Sequence, residues 1–178
     1  MNMGIKEIYA RKKLARLISN IDRRPVFPDI KTVKTIGVIW QPTQKEAFQY
    51  LKNYFNREQV IFRGFCVFEE ITNPHQDSNT LTVKDLDFWG LPKREKVDDF
   101  TSIRFEILLN IALENNLVLD YMTGLSQARF KVGWSPNKNN YLDLNINIGE
   151  NRDPMYLAKQ QIFYLAQLNK KKLNEPAI

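Results

Sequence analysis

Few residues of this 178-residue chain are of types that do chemistry unaided. His75 is the single histidine and sits in the loop sequence Asn-Pro-His-Gln, so it is a lone acid–base candidate or a surface loop residue. Cys66 is the single cysteine and lies in an apolar run, which suits a buried structural thiol. One Cys and one His cannot supply a zinc site of the usual nitrogen and sulfur ligands, and no metal is expected. The run Asp143-Leu-Asn-Ile-Asn147 opens like a calcium loop. Its glycine falls one position late, however, and Pro154 would occupy the bidentate ligand position. Asp85 and Asp87 alternate and could share a carboxylate site, or could simply line the solvent face of a strand. Neither G-x-G-x-x-G nor G-x-x-x-x-G-K-[ST] occurs after the first predicted strand, where QPTQKE stands instead. No catalytic residue and no cofactor is expected.

Two places retain binding potential. Asn151-Arg152 precedes a helix start, where free N–H groups, the helix dipole and the guanidinium together suit an anion. Asp153 competes there, because it caps the same helix with a negative charge. A ligand site would need Arg152 to share a deep polar pocket with Asn110 or Gln41 at the carboxyl ends of the strands, and would be lost if Trp40 and Trp89 filled that region. The second place is Asp87-Phe-Trp-Gly-Leu-Pro92. There Phe88 and Trp89 either anchor a partner or plug the end of a sheet.

The elements that must position these residues follow from hydrophobic period. Residues 4–21 read as a helix with Ala10, Leu14, Leu17, Ile18 and Ile21 on one stripe, while Ile5, Ile8 and Tyr9 project nearly opposite. Lys34–Trp40 reads as a buried strand, Thr43 with Glu46 as a capping box, and the helix that follows leads to another apolar strand, Gln59–Phe68. Strand, helix and strand so close together predict a parallel βαβ unit. Leu81–Phe88 reads as a further strand and KREKVDDFTS as a charged connection. Phe105–Ile111 is apolar all round, and periodicity alone leaves helix and strand both open. Ala128–Trp134 and Leu142–Ile148 alternate in polarity and read locally as an antiparallel edge hairpin with Arg129 and Lys131 on its solvent side, a longer-range pairing being the alternative. A helix from Pro154 to about Lys171 is apolar on two sides. Met155, Ala158, Ile162 and Ala166 would cover the sheet, leaving Leu157, Tyr164 and Leu168 for the N-terminal helix or a partner.

The order DLDFWGLPK, FEILLNIAL, GLSQARFKVG, YLDLNINIG resembles an uncharacterised family of Bacteroidota proteins known only as a domain of unknown function. The pair FEILLNIAL and LSQARFKVG is more distantly similar to the N-terminal Rossmann-like half of lipopolysaccharide heptosyltransferases. That likeness implies a strand at Phe105–Ile111, a helix at Asn116–Gln127 and a strand at Arg129–Trp134. It implies no activity, since the nucleotide-binding positions of those enzymes have no counterpart here.

Charge is concentrated at the ends. Residues 1–24 hold seven basic and two acidic residues and 170–178 hold three and one, whereas 25–169 hold 16 basic and 17 acidic. No apolar run is long enough to span a bilayer, and residues 1–17 lack the apolar core of a signal peptide, so the expectation is a cytoplasmic protein without a membrane role. These readings combine into a basic N-terminal helix (1–24) and a single domain (25–178). The domain is expected to be a three-layer, Rossmann-like α/β fold with a mostly parallel sheet and an antiparallel edge hairpin. The leading functional expectation is a non-catalytic binding or interaction domain, with a homodimer or protein partner on the terminal helices. The alternatives are a small-anion-binding enzyme or sensor, and RNA or ribosome association through residues 6–24.

Overall fold

The computed structural model describes residues 4–68 and 78–174; His75 lies outside them. Among the described residues the elements run α1 (Ile5–Ser19), β1 (Thr35–Trp40), α2 (Lys45–Tyr54), β2 (Ile61–Val67), β3 (Ser78–Leu81), α3 (Arg94–Thr101), β4 (Ile107–Asn110), α4 (Leu117–Leu125), β5 (Lys131–Gly133), β6 (Leu144–Asn145) and α5 (Pro154–Asn174). The strands form one sheet in the order β3-β2-β1-β4-β5-β6, and every pairing is parallel.

The strands are apolar on both sides because helices cover both faces, as a parallel sheet requires. Ile36, Val38 and Trp40 of β1 point into a core closed by Phe48 and Leu51 of α2 and by Leu157, Ala158 and Leu165 of α5. Ile39, Phe65 and Leu108 point to the other face, which Phe100 of α3 and Leu119 and Met122 of α4 close. Ala10 and Leu14 of α1 are fully buried in that second core, so the basic helix lies as an outer layer over α4. The apolar wrap of Phe105–Ile111 resolves as strand β4, inserted between β1 and β5 with Ile36 beside Ile107 and Leu108 beside Lys131.

Several sequence expectations are corrected. β5 and β6 are parallel, with Val132 beside Leu144 and Gly133 beside Asn145, so there is no antiparallel edge hairpin. Residues 134–143 carry the chain back along the sheet, and asparagine side chains satisfy the backbone that this path leaves unpaired. Asn145 both accepts from the Ser135 N–H (2.9 Å) and donates to its carbonyl (3.0 Å), while Asn140 accepts from the Leu142 N–H at 3.0 Å. Alternation reports which side of a strand is apolar, not which way its neighbour runs. The strand expected over Leu81–Phe88 ends at Leu81, and KREKVDDFTS contains helix α3, which buries Val97 and Phe100. α2 starts after a 3-10 turn, Pro42–Gln44, whose capping box joins Gln41 to Gln44 rather than Thr43 to Glu46. Asp153 does cap α5, its Oδ1 accepting from the Met155 N–H at 2.9 Å. Leu157, assigned by pattern to the outward side of α5, is completely buried. Tyr164 is 41% exposed beside the 51%-exposed Phe163.

Candidate functional site

In this strand order the chain leaves β1 toward one side and β4 toward the other, and loops diverge above their carboxyl ends. That crevice is where open α/β sheets hold ligands. Gln41, which follows β1, and Asn110, which ends β4, both lie there and both are buried. Their polar atoms are already engaged. Gln41 donates to Glu114 at 3.1 Å and Asn110 donates to the Thr123 hydroxyl at 3.0 Å, while Asn110 Oδ1 accepts from the Ala112 N–H at 2.9 Å. Gln161 of α5 reaches up from the opposite layer, donating to the carbonyls of Asn110 (2.9 Å) and Val132 (3.3 Å). It is the one polar side chain in the middle of that helix's buried stripe, and it locks α5 to the two strands.

The space left over Asn110 is a cavity of about 20 Å³, walled by Glu114, Thr123, Trp134 and Tyr141. It suits a water molecule and nothing larger. Arg152 does not enter it. The guanidinium lies over the outer side of the Trp134 ring, 4.3 Å from its centroid, and donates to the Gly149 carbonyl at 3.1 Å. Asn151 is turned inward on its own loop, accepting from the Asp153 N–H at 3.0 Å. Trp40 stacks on Phe48 in the core and Trp89 lies on the α1 side, so neither fills the crevice. The deep pocket joining Arg152 to Asn110 or Gln41 is therefore replaced by a hydrogen-bond network capped by Trp134, in which the buried Gln161 Oε1 has no partner among the described residues.

A larger hollow, about 280 Å³, opens on the same α4-covered side between Ile18, Ile21 and Arg23, Gly124 of α4, Lys131 of β5 and residues Asn140–Asp143. Sequence reasoning placed Lys131 on a solvent face. It is 3% exposed, because α4 and the end of α1 cover that side of the sheet. The amine donates to the Gly124 carbonyl at 3.0 Å, near the carboxyl end of α4. Burial, reinforced by the Arg23 charge and only partly opposed by Asp143, pulls the Lys131 ammonium down to about 7. Asp143 holds the wall together. It accepts from two nitrogens of the Arg23 guanidinium, one at 3.1 Å, and from the Lys131 backbone N–H at 2.8 Å. Beyond Tyr141, burial pushes the Asp120 carboxyl up despite its 3.1 Å ion pair with Arg11.

The third feature is on the surface. Phe88 is 76% exposed, so it does not plug the sheet. Trp89 packs its ring 4.1 Å from Tyr9 of α1, and Lys6 lies 4.8 Å above the Phe88 ring. The loop presenting them is firmly built. Asp87 Oδ1 accepts from the N–H groups of Trp89 (2.8 Å) and Leu91 (3.0 Å), Gly90 supplies the left-handed turn residue (φ 82°), and Leu86 bridges Pro92. Asp85 caps the preceding turn through the Thr82 N–H at 2.8 Å. The two aspartates thus shape a loop instead of forming a shared carboxylate site. Among the described residues, no three His, Cys, Asp or Glu side chains are grouped to hold a metal ion. No described helix is long and apolar enough to cross a membrane.

The 3-2-1-4-5-6 order with helices on both faces defines a doubly wound α/β protein of the Rossmann-like class. Within that class the chain belongs to the family of unknown function DUF6913, which it matches over residues 6–168, from the first turn of α1 into α5. No curated protein matches it.

Proposed function

We propose that this chain is a cytoplasmic, non-catalytic interaction domain that docks an acidic protein partner on the surface formed by the first turns of α1 and the Phe88-Trp89 loop. The observation that carries this reading is Phe88, an aromatic side chain held 76% exposed on a loop whose backbone is fixed by Asp87. An exposed aromatic on a pre-ordered loop loses little entropy on binding, which is the physics of an interface anchor. Ile5, 88% exposed, and Tyr9, 47% exposed, continue the patch along α1 at a spacing of four. Lys12 and Arg16 extend the same stripe, and Lys6 overhangs Phe88. Apolar centre and cationic rim favour an acidic partner and disfavour a second copy, whose own lysines would meet these across a two-fold axis.

Photo-crosslinking from position 88 in the native cell tests the reading. The expected product is a discrete adduct with one acidic protein, lost when Tyr9→Ser disrupts the neighbouring part of the patch. Adducts only with a second copy of the chain, with RNA or with lipid would overturn it, as would an unchanged adduct in the Tyr9→Ser protein.

A further inference from the structure

We propose that the hollow between the end of α1, α4 and the 134–143 connection binds a small oxyanion, the carboxylate or phosphate group of a metabolite-sized molecule, with Lys131 Nζ as its counter-ion. The hollow measures about 280 Å³, close to the lower end of the ~300–1,000 Å³ of small-molecule sites. Its walls are already charged in an uneven way. Arg23 is matched by Asp143 in a two-nitrogen ion pair. Lys131, by contrast, is buried with a carbonyl as the partner of its amine, and among the described residues it forms no ion pair with a carboxylate. A buried cation without a counter-ion is costly.

Capping of α4 accounts for the hydrogen bond to Gly124 but not for the choice of side chain. The site is ringed by Ile18, Ile21 and Leu142, and an apolar residue of similar length would fill it without burying an amine. The amine also lies beside usable space. Lys131 and its acceptor Gly124 both line the same hollow, and glycine at 124 lets Ile18 and Tyr141 pack against α4, since a Cβ there would overlap Ile18 Cδ1 and sit 3.3 Å from the Tyr141 ring. Arg23 and Asp143 are the charged groups facing the amine, and Tyr141, whose phenol burial keeps protonated, is the remaining titratable wall residue.

This arrangement predicts how binding responds to pH. Near neutrality the amine is about half protonated. An oxyanion stabilises the ammonium form, so binding draws about half a proton from solvent onto Nζ near pH 7 and about one near pH 8, producing an ammonium–anion pair. Affinity must then fall roughly tenfold per pH unit above 7.

Calorimetric titration of the full chain with sulfate, standing for a phosphate group, and with acetate, standing for a carboxylate, tests this. Neither probe titrates in the range used, and two buffers of different ionisation heat report the protons exchanged. The expected result is saturable binding of at least one probe with uptake of about one proton at roughly pH 8. Lys131→Met should abolish it, and Lys131→Arg should retain binding without the pH dependence. No saturable binding of either probe, binding without proton uptake, or binding unchanged in Lys131→Met would overturn the proposal. Proton uptake by the unaltered chain decides the matter even if a variant fails to fold.

Discussion

The sharpest consequence of Lys131 concerns stability and pH. Its ammonium drops from an ordinary value of 10.5 to about 7 in the fold, chiefly through desolvation. At ~1.4 kcal/mol per unit this amounts to a penalty of roughly 5 kcal/mol for burying the protonated form. Below about pH 7 both folded and unfolded chains hold the proton, and the whole penalty is present. Between about 7 and 10.5 the unfolded chain still binds a proton that the folded chain has released. Stability therefore rises with pH, by about 1.4 kcal/mol per unit, until both forms are neutral. Lys131→Met removes this dependence. It also leaves the Gly124 carbonyl unpaired, a cost of about 1–3 kcal/mol that does not vary with pH. The measurement is urea unfolding of both proteins from about pH 6.5 to 9.5. Other titrating groups, such as Tyr121 and Tyr141, are common to both and cancel in the difference. That difference should climb by about 2.5 kcal/mol between about pH 7.5 and 9.5 in favour of the lysine protein. A difference that stays level with pH would refute the reasoning and show that the amine keeps its proton and its water inside the hollow.

Other perturbations separate structure from binding. Asp143→Ala leaves the Arg23 guanidinium, 16% exposed, and the Lys131 N–H without their acceptor; chemical denaturation should show a loss of about 3 kcal/mol or more. Gln161→Leu frees the carbonyls of Asn110 and Val132 beneath α5 and should cost about 2 kcal/mol, with faster amide exchange in β4 and β5 as the local signature. Phe88→Ser, at an exposed position, should change the unfolding free energy by less than about 0.5 kcal/mol while removing the crosslinked partner. Arg152→Ala should leave sulfate and acetate binding unchanged, since the guanidinium rests on Trp134 away from the Lys131 hollow.

Much of the sheet was legible because each strand carries its own signal. The β-branched run at Thr35–Trp40 and the apolar run ending at Val67 declared β1 and β2, and the short helical span between them required a parallel crossover. β4 was readable only by resemblance, since a segment apolar on every side looks the same in a helix or a strand. Phe88 was recognisable as an aromatic on a turn-rich loop, and Asp153-Pro154 as a helix start. The hollow was invisible. Its residues come from the end of α1, from α4, β5 and the connection before β6; alternation announced that the Lys131 and Asp143 segments are neighbours, but nothing in sequence announced that α1 and α4 cover them.

Composition and period thus determined that the chain folds as a doubly covered α/β sheet with a basic outer helix, because burial of apolar stripes is a local property of each element. Tertiary structure decided the rest. The direction of β6 depends on how residues 134–143 close their hydrogen bonds, a non-local matter. The fate of Lys131 depends on what lies over β5. A lysine in an alternating strand is solvated at an exposed edge and desolvated beneath a helix, and only the packing of α1 and α4 chooses between them. Gln41 and Asn110 could be picked from sequence as strand ends. Their mutual closure by Glu114, Thr123 and Gln161 arises because α4 and α5 approach the same crevice from opposite layers.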